Sequence, residues 1–413
     1  MLYNLVDIYF IGKLGDKNQL AAANITTPLF MIMMALSGII GTGASSYISR
    51  CMGKSDYEKA SKVLSSGITI CFSLGILATV IGSIFITPIV NALGAVEETY
   101  SFAFDYSLVL LLGAAIIMSN FALGQLLRSE GSTMVSMMGM LIGTVANTIL
   151  DPIFIFALHM GMIGAAIATV LGNALGLTYY IIFYLRDKSM IKFKFKNISF
   201  EKDIWREIFS IGTPSSISQI LMGAAVMLCN NLAVSYGNDT VAGMGVASKI
   251  MTIGTYIFMG FSVGCQPLLG YNFGAKNYNR VQEIIKKGMM ITSVIGVALV
   301  IIFGFFPNQI ISFFTPLPDV ISKGSFILLG LMWSLPVYGA QMVGAVTVQA
   351  MGKGKASLLL SIARQGFFYI PILLVLNSSF GLNGLIFAQP MADLLALILT
   401  ISVLIGIMKS VEQ

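Results

Sequence analysis

Residues 67–86 read GITICFSLGILATVIGSIFI, twenty residues without a charge. A helix of that length rises about 30 Å, the thickness of the hydrocarbon core of a bilayer. The stretch lacks the apolar–polar alternation of a barrel strand, so a helix is the one way to satisfy its backbone in lipid. Residues 288–306, GMMITSVIGVALVIIFGFF, repeat the pattern far down the chain. Between and around them the composition stays apolar. Of 413 residues, 56% are hydrophobic and only 10% are charged, and the mean hydropathy is +0.87. Soluble domains carry about 25% charged residues. The chain therefore reads as an all-α polytopic membrane protein.

Charged and turn-rich stretches divide it into twelve predicted helices, at 1–12, 22–48, 61–90, 101–125, 133–157, 162–185, 205–235, 240–270, 283–306, 325–350, 355–376 and 382–407. The first is too short to span and is expected to begin before Met1. No cleavable signal peptide is visible. The charges test the count. The alternate connections that would face the cytoplasm, with adjoining helix ends and the C-terminal tail, hold 20 of the 24 basic residues. The opposite side holds Lys13, Lys17, Lys249 and Lys323. This asymmetry puts both ends in the cytoplasm, and the plasma (inner) membrane is the expected location. The net charge of +6 is thus a topology signal, and no nucleic-acid partner is expected. Lys192-Phe193-Lys194-Phe195-Lys196 reads as a solvated linker, with contact to anionic membrane lipids as the alternative.

Function classes fall away next. Cys51, Cys71, Cys229 and Cys265 are scattered, with no disulfide framework or metal spacing. The one histidine, His159, falls in an outer loop, and there is no P-loop or HExxH motif. The chain is not expected to be an enzyme or to need a cofactor. Active transport would draw on a proton or sodium gradient.

An internal repeat organises the helices. Gly53-Lys-Ser-Asp-Tyr57 recurs as Gly274-Ala-Lys-Asn-Tyr278, Gly15 as Gly237, Gly131 as Gly352, Pro152-Ile153 as Pro371-Ile372, and Gly161-Met-Ile-Gly164 as Gly381-Leu-Asn-Gly384. The shift is about 221 residues throughout. Each repeat holds six helices, so both share one orientation about an axis along the membrane normal. The expected division is a lobe at 1–188, a linker at 189–203 and a lobe at 204–413. Two such lobes suit alternating access.

Ionisable residues inside the span are few, and each is a functional candidate. Asp7 and Asp151 lie one or two turns inside the outer ends of the first and fifth helices, and Thr169 has the same depth in the sixth. Asn147 shares a helix face with Asp151. Asp7, Asn147, Asp151 and Thr169 would form a polar pocket able to take a proton or a small hard cation. The competing reading makes each aspartate a cap or kink partner, since Pro152 follows Asp151. Asp393 is expected to pair with Arg364, which with Lys249 is the deepest basic residue. Met222 and Met251, with other methionines nearby, would line an adaptable cavity.

Tyr3-Asn-Leu-Val-Asp7-Ile-Tyr-Phe-Ile-Gly12 resembles the first-helix motif of the multidrug and toxic compound extrusion (MATE) family. Ser49-Arg-Cys-Met-Gly53, Arg128-Ser-Glu-Gly131, Asn147-Thr-Ile-Leu-Asp151-Pro152, Gly161 to Thr169 and Tyr271-Asn-Phe-Gly274 extend the resemblance along nearly the whole chain. It implies two six-helix bundles forming a V around a central cavity. It also implies export of drugs and organic cations in exchange for H+ or Na+. In members with a cation site in the first bundle, the coupling residues match Asp7, Asn147, Asp151 and Thr169, with Na+ at Asp7 and Asp151 the one metal-ion expectation. Some members carry cation-binding acids in helices 7 and 10. Here the tenth helix reads Pro336-Val-Tyr338-Gly-Ala-Gln341, so coupling is expected in the first lobe. Tyr338, Gln341 and Arg364 join Met222 and Met251 as candidate cavity residues. A monomer is expected. The alternative function is a lipid or lipid-linked saccharide flippase of the same superfold.

Overall fold

The computed structural model describes residues 10–186 and 189–412. It is almost entirely helical, and its turns explain the repeat. Gly131 and Gly352 have φ of 92° and 74°, and Gly161 and Gly381 have 55° and 57°. Glycine takes these values at least cost, and the repeat keeps glycine at these four positions. The GKSDY and GAKNY copies form one device twice. Ser55 and Lys276 turn the chain at φ 59° and 57°. Asp56 and Asn277 then cap the next helix, accepting from the backbone of Lys59 at 3.0 Å and of Arg280 at 3.3 Å.

The chain forms two compact units, residues 1–52 with 56–212 and residues 53–55 with 213–413. The first contains α1 (Lys17–Gly53), α2 (Tyr57–Ile84), the short α3 (Ile86–Ala92), α4 (Glu97–Leu112), α5 (Ala114–Ser129), α6 (Thr133–Pro152) and α7 (Gly161–Leu185). The start of α8 (Lys202–Val234) belongs with it. There, a side chain on Gly43 would meet the Ile208 carbonyl oxygen at 2.1 Å, and one on Gly212 that of Ile39 at 1.8 Å. This close crossing of α1 and α8 puts the division inside α8. The second unit holds the rest of α8, then α9 (Asn238–Gly274), α10 (Tyr278–Phe305), α11 (Pro307–Ser312), α12 (Pro318–Leu331), α13 (Leu335–Ala350), α14 (Gly354–Ile362) and α15 (Ile370–Glu412).

Nine helices among the described residues are long and apolar enough to span. The pair α4 and α5, bent by 56° at Gly113, makes a tenth, where a single straight helix at 101–125 is the sequence expectation. The run Gly354–Val411 contains two predicted helices, parted at Gly381. Helices thus stand at each of the eleven predicted positions from 22 onward. Two features have no sequence forewarning. The helical ladder loosens into π-turns at Ile153–Ala157, just after Pro152, and at Ala363–Tyr369, just before Pro371. Each lies beside a proline, which lacks the N–H that an α-turn needs, and the wide turns close on the carbonyls of Ile153, which accepts from the Leu158 N–H at 2.9 Å, and of Gln365, which accepts from the Ile370 N–H.

The helices that carry the candidate site meet backbone to backbone at glycines. Gly172 of α7 approaches α6 so closely that a Cβ would stand 2.8 Å from the Gly143 oxygen and 3.0 Å from the Asn147 Cβ. Gly176 repeats this against Gly139, at 2.9 Å from its oxygen. Both helices thus carry small residues four apart, the spacing that lets backbones touch in lipid.

The linker's backbone is docked, while Lys192, Lys194 and Lys196 stay exposed as expected of a solvated stretch. Ile191 is fully buried. The backbone N–H groups of Lys192, Lys194 and Ser199 donate to the hydroxyls of Ser61, Ser65 and Ser66 on α2, at 3.2, 3.2 and 2.8 Å. At its start the Ser189 hydroxyl donates to Glu130 Oε2 at 2.5 Å. Glu130 follows α5 and is 7% exposed. Burial pushes its carboxyl up to about 7, against the opposing effect of hydrogen bonds from Ser189 and Ser132.

A raised folded-state value means that the folded chain binds more protons between the ordinary glutamate range and about 7. Stability from this group is therefore full in acid and falls as pH rises through about 7. Glu130→Gln should flatten the pH dependence of thermal unfolding in that window. An unchanged profile would show that Glu130 does not carry it. Gly172→Ala should cost roughly 1–3 kcal/mol by overpacking. Gly260→Ala, where nothing lies within 4 Å, should cost far less in the same unfolding assay.

Candidate functional site

Asn147 and Asp151 lie one turn apart on α6, and Thr169 and Asn173 one turn apart on α7. The glycine contacts above bring the two faces together. The Asn147 amide donates to Asp151 Oδ1 at 3.2 Å and to Thr169 Oγ1 at 3.4 Å. Asn147 and Asp151 are fully buried and Thr169 is 1% exposed. Three of the four residues expected in the pocket therefore form one network. The fourth, Asp7, lies outside the described residues. Phe10, at the start of the described chain, packs edge-on against Phe156 in the π-turn beyond Asp151, with ring centroids 6.3 Å apart.

The network extends further than sequence reasoning reached. The Asn173 amide donates to the Thr169 carbonyl at 2.8 Å, and the Asn120 amide of α5 donates to Asn173 Oδ1 at 3.0 Å. Asn173 had a signal, being one turn after Thr169 on the same face. Asn120 had only its polarity within an apolar run.

Chemically, the cluster offers a carboxylate, carboxamides and a hydroxyl in a water-poor interior. An ionised carboxylate there costs several kcal/mol unless a proton, a cation or hydrogen bonds offset it. The carboxylate, hydroxyl and carboxamide oxygens suit a proton or a hard monovalent ion. No group of three His, Cys, Asp or Glu side chains suited to a metal occurs among the described residues.

In the second unit, Arg364 Nε donates to Asp393 Oδ1 at 2.8 Å, the pair expected from sequence. The guanidinium carbon sits 4.0 Å from the centroid of the Tyr338 ring. Gln341 is buried on α13, Met251 is half-buried and Met222 is exposed. Lys249 is exposed on α9.

The chain matches the MatE family over residues 1–153 and 214–375. It is 33% identical over 393 residues to the multidrug export protein MepA of Staphylococcus aureus (strain MSSA476), covering 95% of this chain and 87% of that protein. To MepA of Staphylococcus haemolyticus (strain JCSC1435) it is 34% identical, covering 95% and 86%. Among solved structures, it resembles a MATE protein crystallised in a bent conformation. It also resembles a multidrug-resistance MATE transporter of the MOP superfamily in an outward-facing conformation. Each is 27% identical with a TM-score of 0.94, covering 100% of this chain and 92% of the other. Membrane-spanning helices, the twofold repeat and these matches agree: the chain belongs to the MatE family of transporters.

Proposed function

We propose that this protein exports amphipathic or cationic small molecules, drugs among them, by antiport against H+ or Na+, with coupling in the first unit. The observation that carries this reading is the buried Asp151–Asn147–Thr169 network. The names of the Staphylococcus relatives support multidrug export as the task. The 20-to-4 charge asymmetry supports cytoplasmic termini in the plasma membrane. Nothing in the proposed cycle requires more than one copy of the chain.

In this cycle Asp151 alternates between charged and neutral. Asn147 reads the change, because one amide group donates to both the carboxylate and Thr169. Neutralising Asp151 weakens the charge-assisted bond and frees Asn147 to shift toward α7. Where Gly172 and Gly176 let the α6 and α7 backbones touch there is little slack to absorb the change, so it passes to helix position. Asp7 supplies a second carboxylate in this reading. Ion binding drives transport only as far as its affinity differs between the two access states.

A flippase for lipid-linked pyrophosphates would need several cationic side chains free to hold the anion. Arg364 is engaged by Asp393, which leaves Lys249 as the deep basic residue without an ion pair among the described residues. This favours the export reading.

Asp151→Asn keeps the shape and removes ionisation. It should lower ethidium efflux from cells about tenfold or more at normal membrane abundance, in line with coupling energies of about 1–3 kcal/mol. Asp7→Asn should do the same, and a proton- or sodium-dissipating agent should abolish wild-type efflux. Full efflux by Asp151→Asn would sink the assignment.

A further inference from the structure

The polar positions of the first unit recur in the second. Thr169 and Asn173 on α7 correspond to Gln389 and Asp393 on α15, both at a shift of 220 residues. Asn120 on α5 corresponds to Gln341 on α13, at 221. All six are buried or nearly so. The chemistry at the matched positions differs. In the first unit, Thr169, Asn173 and Asn120 are neutral, and amide hydrogen bonds link them. In the second, Asp393 is an acid, 1% exposed, that would be strongly destabilising if left alone there.

What meets Asp393 is a cation, and it is placed as a bound organic cation would be. Carboxylate oxygen Oδ1 accepts from Arg364 Nε at 2.8 Å and from Gln389 Nε2 at 3.0 Å. The guanidinium lies over the face of Tyr338, its carbon 4.0 Å from the ring centroid. A carboxylate on one side and an aromatic face on the other is the general recipe for holding a guanidinium or ammonium group. Arg364 reaches this position from the π-turn Ala363–Tyr369, a local widening that α-helical geometry does not supply. Its side chain keeps 16% of its surface accessible, whereas Asp393 keeps 1%.

We propose that Asp393, Gln389 and the face of Tyr338 form a cation-binding site in the second unit, specific for the guanidinium class, and that Arg364 is its tethered occupant. The second unit thereby carries its cation covalently, and solution H+ or Na+ does not act through Asp393 in the native chain. The proposal does not depend on coupling at Asp151, since none of its residues lies in the first unit.

The test is thermal unfolding of the purified full-length chain in detergent. Wild type, Arg364→Ala, and Arg364→Ala with Asp393→Asn are titrated with low-millimolar guanidinium chloride, using KCl at equal concentration as control. Arg364→Ala should unfold at lower temperature. Guanidinium should then raise its midpoint by about 1–2 °C above the KCl control, the scale expected for filling one site in a chain of this length. Wild type, already filled, and the double variant, lacking the acid, should show no such rise. Adding Tyr338→Leu to Arg364→Ala should weaken guanidinium binding about threefold or more. A response in Arg364→Ala no larger than in wild type, or equal with and without Asp393, overturns the proposal. If Arg364→Ala yields no folded protein, adding Asp393→Asn should restore folded yield, because it removes the orphaned acid. Failure to restore it equally overturns the proposal.

Discussion

Hydrocarbon offers no hydrogen-bond partner, so every polar group in a spanning segment must find one inside the protein. Much of this structure follows from that. The backbone is committed to helices. Many hydroxyls inside the spans return to their own helix, as Thr178 does to the Ala174 carbonyl at 2.7 Å and Thr400 to that of Ala396 at 2.7 Å, and others cross to a neighbour, as Ser37 does to the Met118 carbonyl at 2.6 Å. Larger polar groups bond across helices, as Asn120 does to Asn173. With no hydrophobic effect to press apolar faces together, close contact between α6 and α7 is built on glycines instead. The same scarcity of partners makes a buried acid stand out, since each one must be neutralised, paired or used.

The two units answer that requirement in different ways from one ancestral pattern. Their turns are nearly interchangeable: glycine at left-handed positions, a left-handed residue, then a capping Asp or Asn. Backbone geometry constrains these sites equally in both halves. Their interiors have diverged. Among the described residues, the first unit buries Asp151 on α6, beside carboxamides and a hydroxyl. The second moves its acid to the last helix and sets an arginine against it. Duplication left the scaffold common and the charge chemistry separate.

Much of this was legible in the sequence because it is written in strong local signals. Apolar length marked the spans, basic residues marked the loops, and the glycine landmarks marked the repeat. Asn147, Asp151 and Thr169 could be grouped because helical spacing and depth suffice to place them on facing surfaces. The Arg364–Asp393 pair was legible for the same reason. What could not be read depended on how elements meet. The bend at Gly113 looks like any glycine in an apolar run. The π-turns depend on how the helix accommodates Pro152 and Pro371, and proline alone does not say whether a helix kinks or widens. Asn120 joins the network only through the packing of α5 against α7. The linker looked solvated because its lysines dominate its composition, whereas its backbone and Ile191 decide where it lies.

That docked linker has a consequence for how the chain divides. Sequence suggests two lobes joined by a solvated linker at 189–203. In the structure the tether's backbone donates to three serines of α2, and the first turns of α8 lie against α1. The first unit is thus completed by residues that follow its last spanning helix. A gene split at residue 188 would give an N-terminal fragment with bare serine hydroxyls along α2, while its missing edge travelled with the other half. Modularity here is a property of the folded core, and the point at which the polypeptide could be separated does not coincide with the point at which its sequence looks most dispensable.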